Sequence, residues 1–94
     1  MYELELNELR RIGRKRNATA KLTTGEVGEL RHDGLYVIHD HAYISGEFGE
    51  VKLRKSYKDA YPLIKTIKQG RALIAERRHG KLMTTYKYNQ SQSR

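Results

Sequence analysis

Apolar and polar residues alternate along much of this chain. Tyr2, Leu4 and Leu6 are separated by Glu3 and Glu5, and Ala18, Ala20 and Leu22 are separated by Thr19 and Lys21. A period of two is the signature of a strand with one buried face. Between these segments Leu6, Leu9 and Ile12 recur at helical spacing, with Asn7 available as a cap, while Gly13 weakens the pattern. Residues 7–17 therefore read as a short helix, a hairpin or a disordered arm. The middle of the chain reads as short strands joined by turns. Residues 27–31 run into His32-Asp33-Gly34, a strong hairpin signal, and residues 35–39, 42–45 and 50–54 follow as further strands. Residues 35–44 as one long strand is the alternative.

The second half of the chain predicts one main helix. Asp59 or Tyr61 is a cap, Pro62 suits the first turn, and Leu63, Ile64, Ile67, Ile74 and Ala75 fall at helical spacing. Gly80 is placed to stop it after Arg77, Arg78 and His79. Gly70 inside it costs about 1 kcal/mol against Ala, and suggests a close approach to the sheet. Leu82, Thr84, Tyr86 and Tyr88 then alternate with polar neighbours as a last strand. The expected fold is α+β: a small antiparallel β-sheet of short meander strands with one main helix from the C-terminal half packed on one face. Residues 1–88 form one domain and residues 89–94 a polar, disordered tail.

Composition narrows the function. With 94 residues, 37% hydrophobic, no Trp and a single Phe, the core is thin and rests on Leu, Ile, Val and Tyr, which leaves room for a homodimer that shares it. The absence of cysteine excludes disulfides, thiolate zinc sites and a cysteine nucleophile, and points to the cytoplasm. No apolar run reaches membrane-spanning length, so no membrane partner is expected. The charge is +8 and segregated: residues 10–21 hold six bases and no acid, and residues 51–94 hold twelve bases against two acids. A positive face of this kind is the footprint of a phosphate-backbone binder. A solvated basic surface without a partner is the plainer alternative.

Three groups of bases and a pair of tyrosines are candidate nucleic-acid contacts. The first is Arg10, Arg11, Arg14, Lys15 and Arg16, an Arg-rich run suited to bidentate phosphate contacts. Lys52, Arg54, Lys55 and Lys58 come next, at the junction of a strand and the helix, where an exposed basic sheet face can meet a groove. The third is Lys65, Lys68 and Arg71, with Arg77 and Arg78, on the polar side of the expected helix. Tyr86 and Tyr88 beside Lys87 suggest stacking on bases, though seven tyrosines in a chain without Trp are also needed as core.

Other motifs carry less. His39 and His41 share one strand face, but no spacing specifies a third metal ligand, so no metal and no cofactor is expected. Gly34-Leu35-Tyr36 and Tyr43-Ile44-Ser45-Gly46 resemble the paired signature of the GIY-YIG nucleases. However, six residues separate the tyrosines, fewer than in that family, Ser45 interrupts the second half, and Glu76 is the only glutamate after residue 50. The resemblance is set aside. Three strands followed by a helix over residues 27–78 are similar in architecture to the three-stranded-sheet DNA-binding domains of some integrases and plant transcription factors.

The expectation is a non-enzymatic, cytoplasmic nucleic-acid-binding protein, with DNA slightly favoured over RNA, such as a regulator or accessory factor of a virus or mobile element. The alternative is an interaction or inhibitor protein, for example an anti-defence one, that docks on a larger nucleic-acid-handling machine. Its acidic middle (Glu26, Glu29, Asp33, Asp40, Glu47 and Glu50) would then be a second contact surface.

Overall fold

The computed structural model describes residues 1–15, 17–40 and 50–85. Among these residues eight strands form one sheet: β1 (Tyr2–Glu3), β2 (Ala18–Leu22), β3 (Val27–Arg31), β4 (Gly34–Asp40), β5 (Glu50–Lys55), β6 (Ile64–Gln69), β7 (Ala72–Arg78) and β8 (Lys81–Thr84). Helix α1 (Leu6–Arg14) precedes β2, and a single turn, α2 (Tyr57–Ala60), runs into a 3₁₀ turn (Tyr61–Leu63) before β6. The sheet order is β1-β8-β7-β6-β2-β3-β4-β5, and every pairing is antiparallel. Two meanders, β2 to β5 and β6 to β8, thus join where β6 returns to pair with β2.

The coarse expectation of a small α+β domain with an antiparallel sheet stands, but the main helix does not. Only Tyr57–Ala60 of that region is α-helical, capped by Ser56, whose hydroxyl accepts from the Asp59 amide at 3.1 Å. Residues 64–78 are instead a hairpin, and the basic helix face of Lys65, Lys68, Arg71, Arg77 and Arg78 is divided between two strands and their turn. The reason is local. Ile64, Thr66 and Ile67 are β-branched and favour a pleated surface. Gln69 pairs with Ala72, so Gly70 and Arg71 form a two-residue turn. Gly70 takes φ +61°, as the first central residue of a type II′ hairpin turn requires. His79 and Gly80, expected as a helix end, form the next two-residue turn with φ +53° and +80°. The architectural likeness to three-stranded-sheet DNA-binding domains fails with the helix it needed.

The helix at residues 6–14 is one of the three forms left open for that region. Its cap is Glu5 rather than Asn7: the Glu5 amide donates to Glu8 Oε1 at 2.8 Å in a capping box. Asn7 instead accepts from Arg10 at 3.2 Å. Leu9, Ile12 and Gly13 are buried against the sheet. A single hydrophobic cluster runs from Leu4 and Leu9 through Ala20, Leu30, Leu35 and Val37 to Ile64, Ile67 and Leu82.

Two tyrosines tie helical turns to the sheet. The Tyr61 hydroxyl donates to the Leu4 carbonyl. The Tyr57 hydroxyl donates to the Arg31 carbonyl, and burial pushes its phenol up to about 12. An unfolded tyrosine ionises near pH 10. The stability tied to neutral Tyr57 is therefore complete below pH ~10 and is lost as pH rises from there to about 12. Tyr57→Phe is expected to cost about 1 kcal/mol at neutral pH for the lost hydrogen bond, and to show a shallower loss of stability over that alkaline window. Urea denaturation at a series of pH values, compared with wild type, checks both.

No helix among the described residues is long and apolar enough to cross a membrane.

Candidate nucleic-acid interface

The β2–β3 ladder pairs Lys21 with Val27, Ala20 with Gly28 and Thr19 with Glu29, and stops there. Beyond it each strand is paired only on its other side, Ala18 with Gln69 and Leu30 with Leu35. The strands part because each is committed to a different neighbour, and the end of α1 lies at the opening. The result is a cleft of about 510 Å³. Arg14 and Lys15 from the end of α1, Asn17 just before β2, Thr19 within it, and Glu29, Arg31 and His32 from β3 and its turn line it. Asn17 takes φ +73°, a conformation its short polar side chain tolerates. Its carbonyl accepts from the Gly70 amide at 2.8 Å. The β6–β7 turn, with Lys68 and Arg71, is thereby docked beside the cleft.

Three cations face the cleft against one carboxylate. Arg14 and Lys15 are exposed, and Arg14 also complements the negative end of the α1 dipole. Arg31 donates to Glu29 Oε1 at 2.7 Å, the two side chains being 44% and 41% exposed, so both remain within reach of a ligand. The hydrogen bond and charge of Glu29 hold the Arg31 guanidinium above its ordinary range. That guanidinium also lies over the Tyr36 ring, 5.0 Å from its centroid. The Tyr36 hydroxyl donates to Asp33 Oδ2 at 2.8 Å, which holds the Asp33 carboxyl below the usual range and raises the phenol. Arg54 donates to the Asp33 carbonyl at 2.7 Å. Across the register Lys68, Thr19, Glu29, Tyr36 and Arg54 are successive neighbours in one row.

The candidate bases separate into groups. Arg14 and Lys15 line the cleft, Lys68 pairs with Thr19 at its edge, Arg71 is exposed in the docked β6–β7 turn, and Arg54 lies two pairings beyond Glu29 in the same row. Lys55 ends β5 next to Arg54, and Lys58 is exposed on α2. Arg10 and Arg11 are exposed one turn back on α1, and Lys65 is exposed at the opposite end of β6 from the turn. Arg78 is six residues from Ala72 along β7, about 20 Å from the cleft side, and donates to Glu76 at 3.3 Å. Arg77 is committed to the fold. Its Nε donates to the Ile64 carbonyl at 2.7 Å, one terminal nitrogen to Gly80 at 2.9 Å and the other to Tyr61, and it sits 5.8 Å from the Tyr61 ring centroid. Arg16 lies outside the described residues, as do Tyr86, Tyr88 and His41. Lys52 pairs with Ile38 in the β4–β5 register. Sequence reading missed Arg31, Asn17 and Thr19. Alternation on β3 and β4, with the turn at residues 32–33, would have put Arg31 beside Tyr36.

The acids are interleaved with these bases. Glu29 pairs with Arg31, and the Asp33 carboxylate accepts from Tyr36 while its backbone carbonyl accepts from Arg54. Among the described residues no group of three His, Asp or Glu could hold a metal ion. What the cleft offers chemically is charge-assisted donors at a concave, solvent-open site, suited to a phosphate-like anion. Comparison with family models, with curated proteins and with solved structures finds no match.

Proposed function

We propose that the protein is a non-enzymatic nucleic-acid-binding module in which this cleft receives the phosphate backbone of DNA or RNA. The carrying observation is convergence: Arg14 and Lys15 at the end of α1 and Arg31 of β3 come from separate stretches of sequence to line one cleft, and Lys68 of β6 pairs with Thr19 at its edge. Each such cation that neutralises a phosphate releases a counterion, a gain that offsets the repulsion of holding like charges together. Arg77 and Arg78 are left out of the contact set, the first by its carbonyl bonds and the second by its distance. Glu29 is bonded to Arg31 and Asp33 to Tyr36, which takes these two acids out of a separate acidic docking surface.

Fluorescence-anisotropy titration at two salt concentrations tests the reading. Wild type is expected to bind with affinity that falls steeply with salt. The Arg14→Ala/Lys15→Ala variant removes two phosphate contacts and is expected to lower the log–log salt slope by about 1.5. Arg78→Ala, chosen as the distant control, is expected to leave the slope unchanged. No binding at low salt overturns the reading and assigns the basic region to a protein partner.

A further inference from the structure

Resting on that reading, we propose that the bound strand is unpaired, and that the Arg31–Tyr36 stack is the platform for one of its bases. Arg31 belongs to both parts of the surface, lining the cleft while lying over the Tyr36 ring. Its charge is already opposed by Glu29 at 2.7 Å. As a phosphate contact it is therefore weaker than Arg14 or Lys15, and Glu29 would repel a phosphate placed beside it. What Arg31 keeps is a planar guanidinium on a side chain 44% exposed, and such planes, like aromatic rings, stack on unpaired bases. The phosphates then follow Arg14 and Lys15, and the base turns toward Arg31.

The platform is held before any ligand arrives. Glu29 fixes the guanidinium, Asp33 fixes the Tyr36 hydroxyl, and Arg54 fixes the Asp33 carbonyl. Little side-chain entropy remains to be lost on binding. The dimensions agree. Thr19 on the far side of the cleft pairs with Glu29, and Glu29 with Tyr36, so two strand spacings, about 10 Å, separate the far wall of the cleft from the ring. One nucleotide reaches that far from phosphate to base edge. A duplex keeps its bases stacked on one another and leaves this platform unused.

The test compares one short oligonucleotide as a single strand and annealed to its complement, at the same salt, by anisotropy. Wild type is expected to prefer the single strand by about tenfold. Arg31→Lys keeps the charge and loses the plane. It is expected to weaken single-strand binding about fivefold or more, to weaken duplex binding much less, and to abolish the fluorescence change of a base analogue carried in the strand. Tyr36→Phe keeps the ring and is expected to retain the preference. Circular dichroism and thermal midpoints of both variants confirm that they are folded. Equal binding of both forms, unmoved by Arg31→Lys, overturns the platform while the nucleic-acid reading stands. Failure to bind either form overturns that reading itself.

Discussion

Gly13→Ala is expected to destabilise the domain by more than about 3 kcal/mol, and to leave much of it unfolded at 37 °C. In an isolated helix the same change would be favourable by about 1 kcal/mol. Here the new methyl would overlap the Tyr57 hydroxyl, and would stand 2.6 Å from Tyr57 Cζ and 2.7 Å from the Arg31 carbonyl oxygen. The carbonyl is backbone within β3, and Tyr57 is 4% exposed in the core, so neither side can yield cheaply. Moving Tyr57 also breaks its bond to Arg31. In the double variant with Tyr57→Phe the hydroxyl overlap is gone and the other two contacts remain. The double variant is therefore expected to be less destabilised than the sum of the two single changes. Denaturant unfolding of the four proteins in the cycle measures that coupling.

Arg77→Ala is expected to cost about 3 kcal/mol. The guanidinium of this half-buried residue bridges three separate backbone segments through the carbonyls of Tyr61, Ile64 and Gly80. It therefore holds the 3₁₀ turn, the start of β6 and the β7–β8 turn together. Removing it strips charge-assisted donors from three carbonyls and uncovers the Tyr61 ring. Arg77→Lys restores the charge but not the fork, and is expected to recover less than half of the loss. Thermal unfolding midpoints order the three proteins. If Arg77 instead served only as a solvent-facing phosphate contact, both changes would leave the midpoint within error.

The misreading of residues 64–78 has a definite physical source. Along β6 the register passes from Lys21 with Thr66 to Leu22 with Ile64, leaving Lys65 as an extra residue. Along β7 it passes from Ile67 with Ala75 to Lys68 with Leu73, leaving Ile74 extra. A bulge adds one residue without changing the face of the next inward side chain. Ile64 and Ile67 are thus both buried at a separation of three, and Ile74 and Ala75 are buried side by side. Those spacings imitate a helix stripe. What argued for strands was the β-branched run and Gly70, whose positive φ belongs in a turn. Regular strands were legible where no bulge intervened, as in Ala18, Ala20 and Leu22 of β2.

The candidate interface was legible only in part for a related reason. The charge run at residues 10–16 announced the basic end of α1. The cleft itself depends on where the β2–β3 ladder stops, and on the Gly70 bond that docks the β6–β7 turn beside Asn17. Both are long-range pairings that local patterns do not encode. Arg77 shows the converse: it reads as one more surface base, and its partners lie 3, 13 and 16 residues away in sequence.

The measurement that bears most directly on the cleft is an amide NMR titration of the full chain with a short oligonucleotide at low salt. Saturable shifts are expected to concentrate at residues 13–15, 17–19, 29–32 and 68–71, with residues 76–82 unmoved. Shifts centred on residues 76–82, or spread evenly over the exposed bases, would contradict the cleft as the binding site.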